Sequence, residues 1–149
     1  MKNLFDIECL NEVLDRLNKL EPTAQRQWGK MTVAQMCAHC SSTMKMAKGE
    51  RIAKRIFIGR LLSPFLKHNY YNEKPFAKGS PTSKESIIVD ERDFGNEKTQ
   101  LITHIRQFAN GGEKGCTTYP HPFFGKMTPQ QWAIGMYKHL DHHLRQFNG

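Results

Sequence analysis

The amino-acid sequence predicts an all-α fold, an antiparallel four-helix bundle in a single domain over residues 1–149. Three observations carry that expectation. Apolar residues recur at helical spacing in four separate segments, so each presents one face that needs a partner. Two of those segments open on the same capping phrase, Thr-x-x-Gln. The β-prone run Ile87-Ile88-Val89 is brief and has no obvious strand to pair with. A chain of 149 residues can bury a real core without covalent staples, and mutual packing is the ordinary way to bury four such stripes.

The first helix is read over Asn3 to Leu20, with Leu4, Ile7, Leu10, Leu14, Leu17 and Leu20 on a core-facing stripe. Glu21-Pro22 ends it, because proline disfavours helix at the residue before it and has no N–H to continue the ladder. After a short loop, Thr32 caps the second helix and Gln35 closes its capping box. Along that helix Met36, His39, Thr43 and Met46 follow the apolar face, so His39 is aimed at the interior or a cleft.

Between the second and third main helices the sequence places a short extra helix and a long loop. Gly49 to Asn69 is basic and amphipathic, and Ser63-Pro64 is expected to break it into helical turns. Its apolar residues, Ile52, Ile56, Leu61, Leu62, Phe65 and Leu66, are expected to pack on the domain rather than on a membrane. Tyr70 to Lys84, rich in proline, glycine and polar residues, reads as loop, and loops this long are often functional rims or lids. The third main helix runs from Phe94 to about Ala109, with Leu101, Ile102, Ile105 and Phe108 inward and Gly111-Gly112 as its stop. His104 lies off that stripe and is read as a surface residue. His121, set between two prolines and beside Phe123 and Phe124, reads as a tightly ordered turn.

The last helix, Thr128 to Phe147, begins sharply. Thr128 is its N-cap, Pro129 takes the first helical position, and Gln131 completes the capping box. Trp132, Met136, Leu140 and Leu144 form its apolar face. His139 and His143 are four residues apart, hence on one face and roughly 6 Å apart along the axis. Two imidazoles so placed can reach one metal ion, needing one or two further ligands from elsewhere. A third from a facing helix, His39, would complete a three-histidine site with an open coordination position.

Composition narrows the rest. The opening MKNLFDIECL lacks a secretory apolar core, and no apolar run approaches the length of a bilayer span. A cytoplasmic protein is expected. Cys9, Cys37, Cys40 and Cys116 are read as small buried hydrophobes rather than a disulfide framework or a zinc site, for which the Cys37/Cys40 pair has no second pair. A net charge of +8 invites a nucleic-acid partner, but no recognisable binding module accompanies it. Modest basicity also suits a pocket for an anionic small molecule.

Three stretches carry a resemblance. The run His139-Leu-Asp-His142-His143-Leu-Arg-Gln146 resembles the H-x-x-H-H-x-x-Q signature in the last helix of DinB-like proteins. Ala34 to Cys40 resembles the earlier helix that bears that family's first histidine. His121-Pro-Phe-Phe-Gly125, followed by Thr128-Pro129-x-x-Trp132, is similar to the approach to the last helix in a subgroup of unknown function. The resemblance covers most of the chain. It implies an up-down-down-up bundle, often a homodimer, with a divalent metal held by His39, His139 and His143. It also implies structural or supporting roles for His142 and Gln146. The better understood relatives are thiol-dependent transferases or isomerases using bacillithiol, mycothiol or glutathione-like cofactors.

Two functions follow as expectations. One is an enzyme using zinc or nickel to activate a water or a low-molecular-weight thiol toward a small-molecule substrate, as a transferase, isomerase or hydrolase. Asp141 and His142 are its candidate general bases. The other is a non-catalytic helical module, dimeric and ligand-binding or stress-related, whose histidines are structural.

Overall fold

The computed structural model describes residues 1–80, 82 and 86–149. Five α-helices follow in order: α1 (Ile7–Asn18), α2 (Val33–Ala47), α3 (Phe57–Tyr71), α4 (Phe94–Gly111) and α5 (Pro129–Gln146). A 3-10 turn at Gly112–Gly115 extends α4. The fold is all-α. Among the described residues no strand forms, and β pairing is limited to an isolated bridge between His121 and Gly125. No described helix is long and apolar enough to cross a membrane.

Polar side chains fix where four helices begin. Asp6 accepts from Glu8 N–H and Asp93 from Asn96 N–H. Thr32 and Thr128 each sit in a complete capping box, with Gln35 and Gln131 returning the bond. Each such cap is worth about 1 kcal/mol. Four of the helices close a ring: α1 and α2 each pack against both α4 and α5. The core lies inside that ring, with Leu17, Met36, Met44, Leu101, Ile105 and Trp132 almost fully buried. The third helix packs on the outside of α5.

Three expectations need correction. The first helix starts at Ile7, later than read, and Ile7 is 64% exposed, while Val13 joins Leu10, Leu14 and Leu17 inside. Leu4 still contributes to the core, because its N–H donates to the Ala133 carbonyl at 3.2 Å and folds the arm back onto α5. Second, α3 runs unbroken through Pro64. Proline removes the bond that would reach the Arg60 carbonyl, but both residues are exposed, so water can satisfy that oxygen.

Third, α3 is not packed by its apolar side. Phe57 and Phe65 are each 80% exposed, whereas Gly59 and Tyr70 are buried. The reason is close backbone approach. A Cβ on Gly59 would lie 2.8 Å from Phe123 Cα, and one on Gly135 of α5 would lie 1.9 Å from the Tyr70 ring. Two glycines make the room, Gly59 for the Phe123 backbone and Gly135 for the Tyr70 ring.

The remaining segments follow their chemistry. Ile87, Ile88 and Val89 form no strand, and Gln35 Nε2 donates to the Asp90 carbonyl at 3.0 Å. Tyr70 and Tyr71 belong to α3, so the long loop begins after them; its residues Pro81, Ser83, Lys84 and Glu85 lie outside the described residues. His104 is half-buried, with Lys48 Nζ at 3.0 Å from its Nδ1. All four cysteines are free, three of them buried and Cys116 half-buried.

Candidate metal centre

Helical spacing alone points His139 and His143 the same way, and α2 packs against α5 so that His39 meets them. One ligand nitrogen from each of the three lies within 4.8 Å of the others. The ring centroids are 5.0 Å apart for His39 and His139, 4.8 Å for His39 and His143, and 4.6 Å for His139 and His143. His39 and His143 are buried; His139 keeps some exposure. The three residues expected to share a site do converge.

What each imidazole presents is decided by the partner of its other nitrogen. His39 Nδ1 lies 2.7 Å from the Ser86 carbonyl, which can only accept, so Nδ1 carries the hydrogen and Nε2 is bare. Gln146 Nε2 donates to the Trp28 carbonyl at 2.8 Å, and this orients the amide so that Oε1 faces His143 Nδ1, also at 2.8 Å. His143 Nδ1 therefore donates and its Nε2 is bare. Thr43 Oγ1 donates to the Cys40 carbonyl at 2.8 Å and offers a lone pair to His139 Nδ1 at 3.4 Å. That again leaves Nε2 free.

The result is a set of nitrogen lone pairs aimed at one place. His39 Nε2 and His139 Nε2 are 3.0 Å apart, and two lone pairs so close need a proton or a cation between them. Two nitrogens bound to one tetrahedral zinc at about 2.0–2.1 Å would be separated by about 3.3 Å, close to the separation of this one pair. Burial pushes all three imidazoles toward the neutral form that metal binding requires. The His143 pKa falls to about 3, chiefly through desolvation and then through His39. Those of His39 and His139 are also lowered, desolvation being the first cause in both. Three neutral imidazoles so placed could hold a metal ion.

The other motif residues have separate employment. Asp141 binds Arg16 of α1 at 2.8 Å and Arg145 at 2.9 Å, so it ties helices together and is not free to act as a base. His142 is not one of the three converging imidazoles; its ring lies beside His143, at 5.1 Å, and also faces Trp28 at 5.5 Å and Phe76 at 6.2 Å. Phe76, Lys78 and Ser86 come from the chain between α3 and α4, and Lys78 Nζ lies 4.6 Å over the Trp28 ring. That segment forms part of the rim. His121 is the ordered turn that was expected: its Nδ1 accepts from both Phe123 N–H, at 3.1 Å, and Phe124 N–H, at 3.2 Å.

Nor do Cys37, Cys40 and Cys116 offer a thiolate. Burial raises Cys37 to about 12 and Cys40 well above its ordinary value. Cys116 is pushed up to about 11 for the same reason.

A family model described as "Protein of unknown function (DUF1569)" matches residues 1–149, the whole chain. The chain belongs to the DUF1569 family. No curated protein and no solved structure matches it. In this DUF1569 chain, therefore, chemistry has to be argued from the site itself. Sequence reasoning missed the two carbonyls that hold the triad, of Ser86 and Trp28, and gave Thr43 no role beyond lying on an apolar face. Backbone oxygens in loops carry no residue-type signal. Thr43, one turn from His39, could have been found by asking what faces His139.

Proposed function

We propose that this DUF1569 protein is a divalent-metal-dependent enzyme of the DinB-like kind. It holds zinc or nickel through His39, His139 and His143 and acts on a small molecule by thiol-dependent transfer, isomerisation or hydrolysis. The single observation that carries the reading is the fixing of ring orientation: a partner on Nδ1 leaves Nε2 of each histidine free, and one ligand nitrogen from each of the three lies within 4.8 Å of the others. The closed ring of α1, α4, α2 and α5 supports an up-down-down-up four-helix bundle, with α3 as the extra helix.

A bound divalent ion supplies Lewis acidity, lowering the pKa of a water or thiol that joins it. The chain's own part is to hold three neutral imidazoles, of which His139 stays partly exposed. Burial keeps the Cys37, Cys40 and Cys116 thiols protonated, Cys9 is packed in the core, and Asp141 is engaged by two arginines, so the nucleophile comes from outside the chain. His142 lies at the rim with its ring 5.1 Å from that of His143. Desolvation lowers its pKa, so near neutral pH it can accept a proton at a ring nitrogen.

Metal analysis of protein purified without a histidine tag tests this. Wild type should carry about one equivalent of zinc or nickel. His139→Ala and His143→Ala should lose it while keeping their helical circular dichroism, because the core apart from the triad carries the fold. A wild type that binds no more metal than His143→Ala after equilibration with either ion defeats the proposal. The 3.0 Å separation of His39 Nε2 and His139 Nε2 also suits a simple N–H···N bond in a structural, non-catalytic module. That second reading requires metal-free wild type and a loss of folding in the alanine variants.

A further inference from the structure

We propose that the outward face of α3 docks on an anionic phospholipid bilayer, with the helix lying in the plane of the interface. Residues 57, 58, 61, 62, 65 and 66 fall on one half of a helical wheel. They are Phe57, Ile58, Leu61, Leu62, Phe65 and Leu66, and every one is at least 36% exposed. Ile52, in the lead-in to the helix, is 62% exposed. Soluble monomers rarely leave so continuous an apolar strip in water. The opposite side of α3 is already used, by Gly59 against Phe123 and Tyr70 against Gly135.

Charge decides among occupants. From Lys48 to Lys67 the chain carries Lys48, Arg51, Lys54, Arg55, Arg60 and Lys67, against Glu50 alone. Glu50 is paired with Lys48 at 2.7 Å. Within α3 there is no acid, and Arg60 and Lys67 border the apolar strip along its Phe57 edge. A second copy meeting this face about a two-fold axis would set one cationic helix against another, with no carboxylate in either to answer it. Anionic headgroups answer it directly, while the six apolar side chains enter the acyl boundary.

The helix is also ready-made. Lys138 Nζ donates to the Asn69 carbonyl at 2.7 Å and to Asn72 Oδ1 at 2.9 Å, fixing its C-terminal end to α5. Lys67 Nζ donates to the Lys126 carbonyl. Docking therefore requires no folding of the segment, unlike an interfacial peptide that becomes helical only on contact. With 15 residues and two internal cations, α3 lies on a bilayer and does not cross it.

Co-sedimentation of the full chain with unilamellar vesicles is the test, comparing phosphatidylcholine alone with phosphatidylcholine plus phosphatidylserine. Wild type should partition onto the anionic vesicles, and high salt should weaken it. The double variant Phe57→Ser/Phe65→Ser should lose at least about tenfold in partitioning. Both sites are exposed, so circular dichroism and metal content should stay as in wild type. Absence of wild-type binding to anionic vesicles overturns the proposal, as does binding that the double variant retains in full. A wild-type dimer that the double variant dissolves, with no vesicle binding, would assign the face to a second copy and overturn it equally. None of these outcomes bears on the metal site.

Discussion

Gln146 serves two partners with one amide, donating to the Trp28 carbonyl and accepting from His143 Nδ1. It can do so because residue 29 is glycine. A Cβ there would sit 2.6 Å from Gln146 Nε2, and the backbone at φ +78° favours glycine in any case. The amide is thus pinned before any ion arrives, and with it the tautomer of His143. Replacing Gln146 by leucine keeps most of the volume and removes the acceptor. Metal affinity should fall about 10–100-fold, the range typical for loss of a partner behind a metal-bound histidine. Competition against a chromogenic chelator would measure it; an unchanged affinity would mean that something other than Gln146 orients His143. At this scale the histidines were legible because a helix turns spacing into direction. His139 and His143 had to share a face, and His39 had to point inward with Met36 and Met46. The Trp28 and Ser86 carbonyls were not, since any residue type supplies the same oxygen.

Among the elements, α3 and its seat on α5 are the least expected. The amphipathic period of the segment was plain in the sequence, but period alone does not say which side meets the protein. Gly59 and Gly135 decide it, and a reading that weighs only apolar side chains passes over them. Proline at position 64 misleads similarly, because its lost hydrogen bond matters less where water can reach the Arg60 carbonyl. The seat can be tested with Gly135→Ala. Helix propensity favours alanine by about 1 kcal/mol, whereas its methyl would overlap the Tyr70 ring, a clash of the kind that costs typically 1–3 kcal/mol. The clash should win, so urea unfolding should show a net loss of stability. A gain of about 1 kcal/mol would show that Tyr70 does not lie on α5.

For the whole molecule, buried neutral histidines set the response to acid. Burial holds both His121 and His143 at about 3, against an ordinary value of 6.5. In the unfolded chain they take up protons as pH falls through 6.5, while the folded protein resists until about 3. Their contribution is therefore complete above 6.5 and is lost progressively from there down to about 3. His39 and His139 shift in the same direction. The urea midpoint of metal-free protein should be flat above neutrality and begin to fall near pH 6.5, well before carboxylates protonate. A midpoint steady down to about pH 4.5 would mean that these imidazoles are not held neutral inside. A mutual packing of α1, α2, α4 and α5 was foreseeable, since four apolar stripes have few other ways to be covered; the place of α3 outside it was not. That ring has a consequence for synthesis. Helix α5 touches α1, α2 and α3 and supplies two of the three imidazoles, yet it is translated after all of them. Until those last turns leave the ribosome, a delay on the order of a second or more, the nascent chain has its greasy stripes but not the rod that covers them. Holdase chaperones have their natural opportunity in that interval, and a message cut short before the Thr128 codon would leave it permanently open.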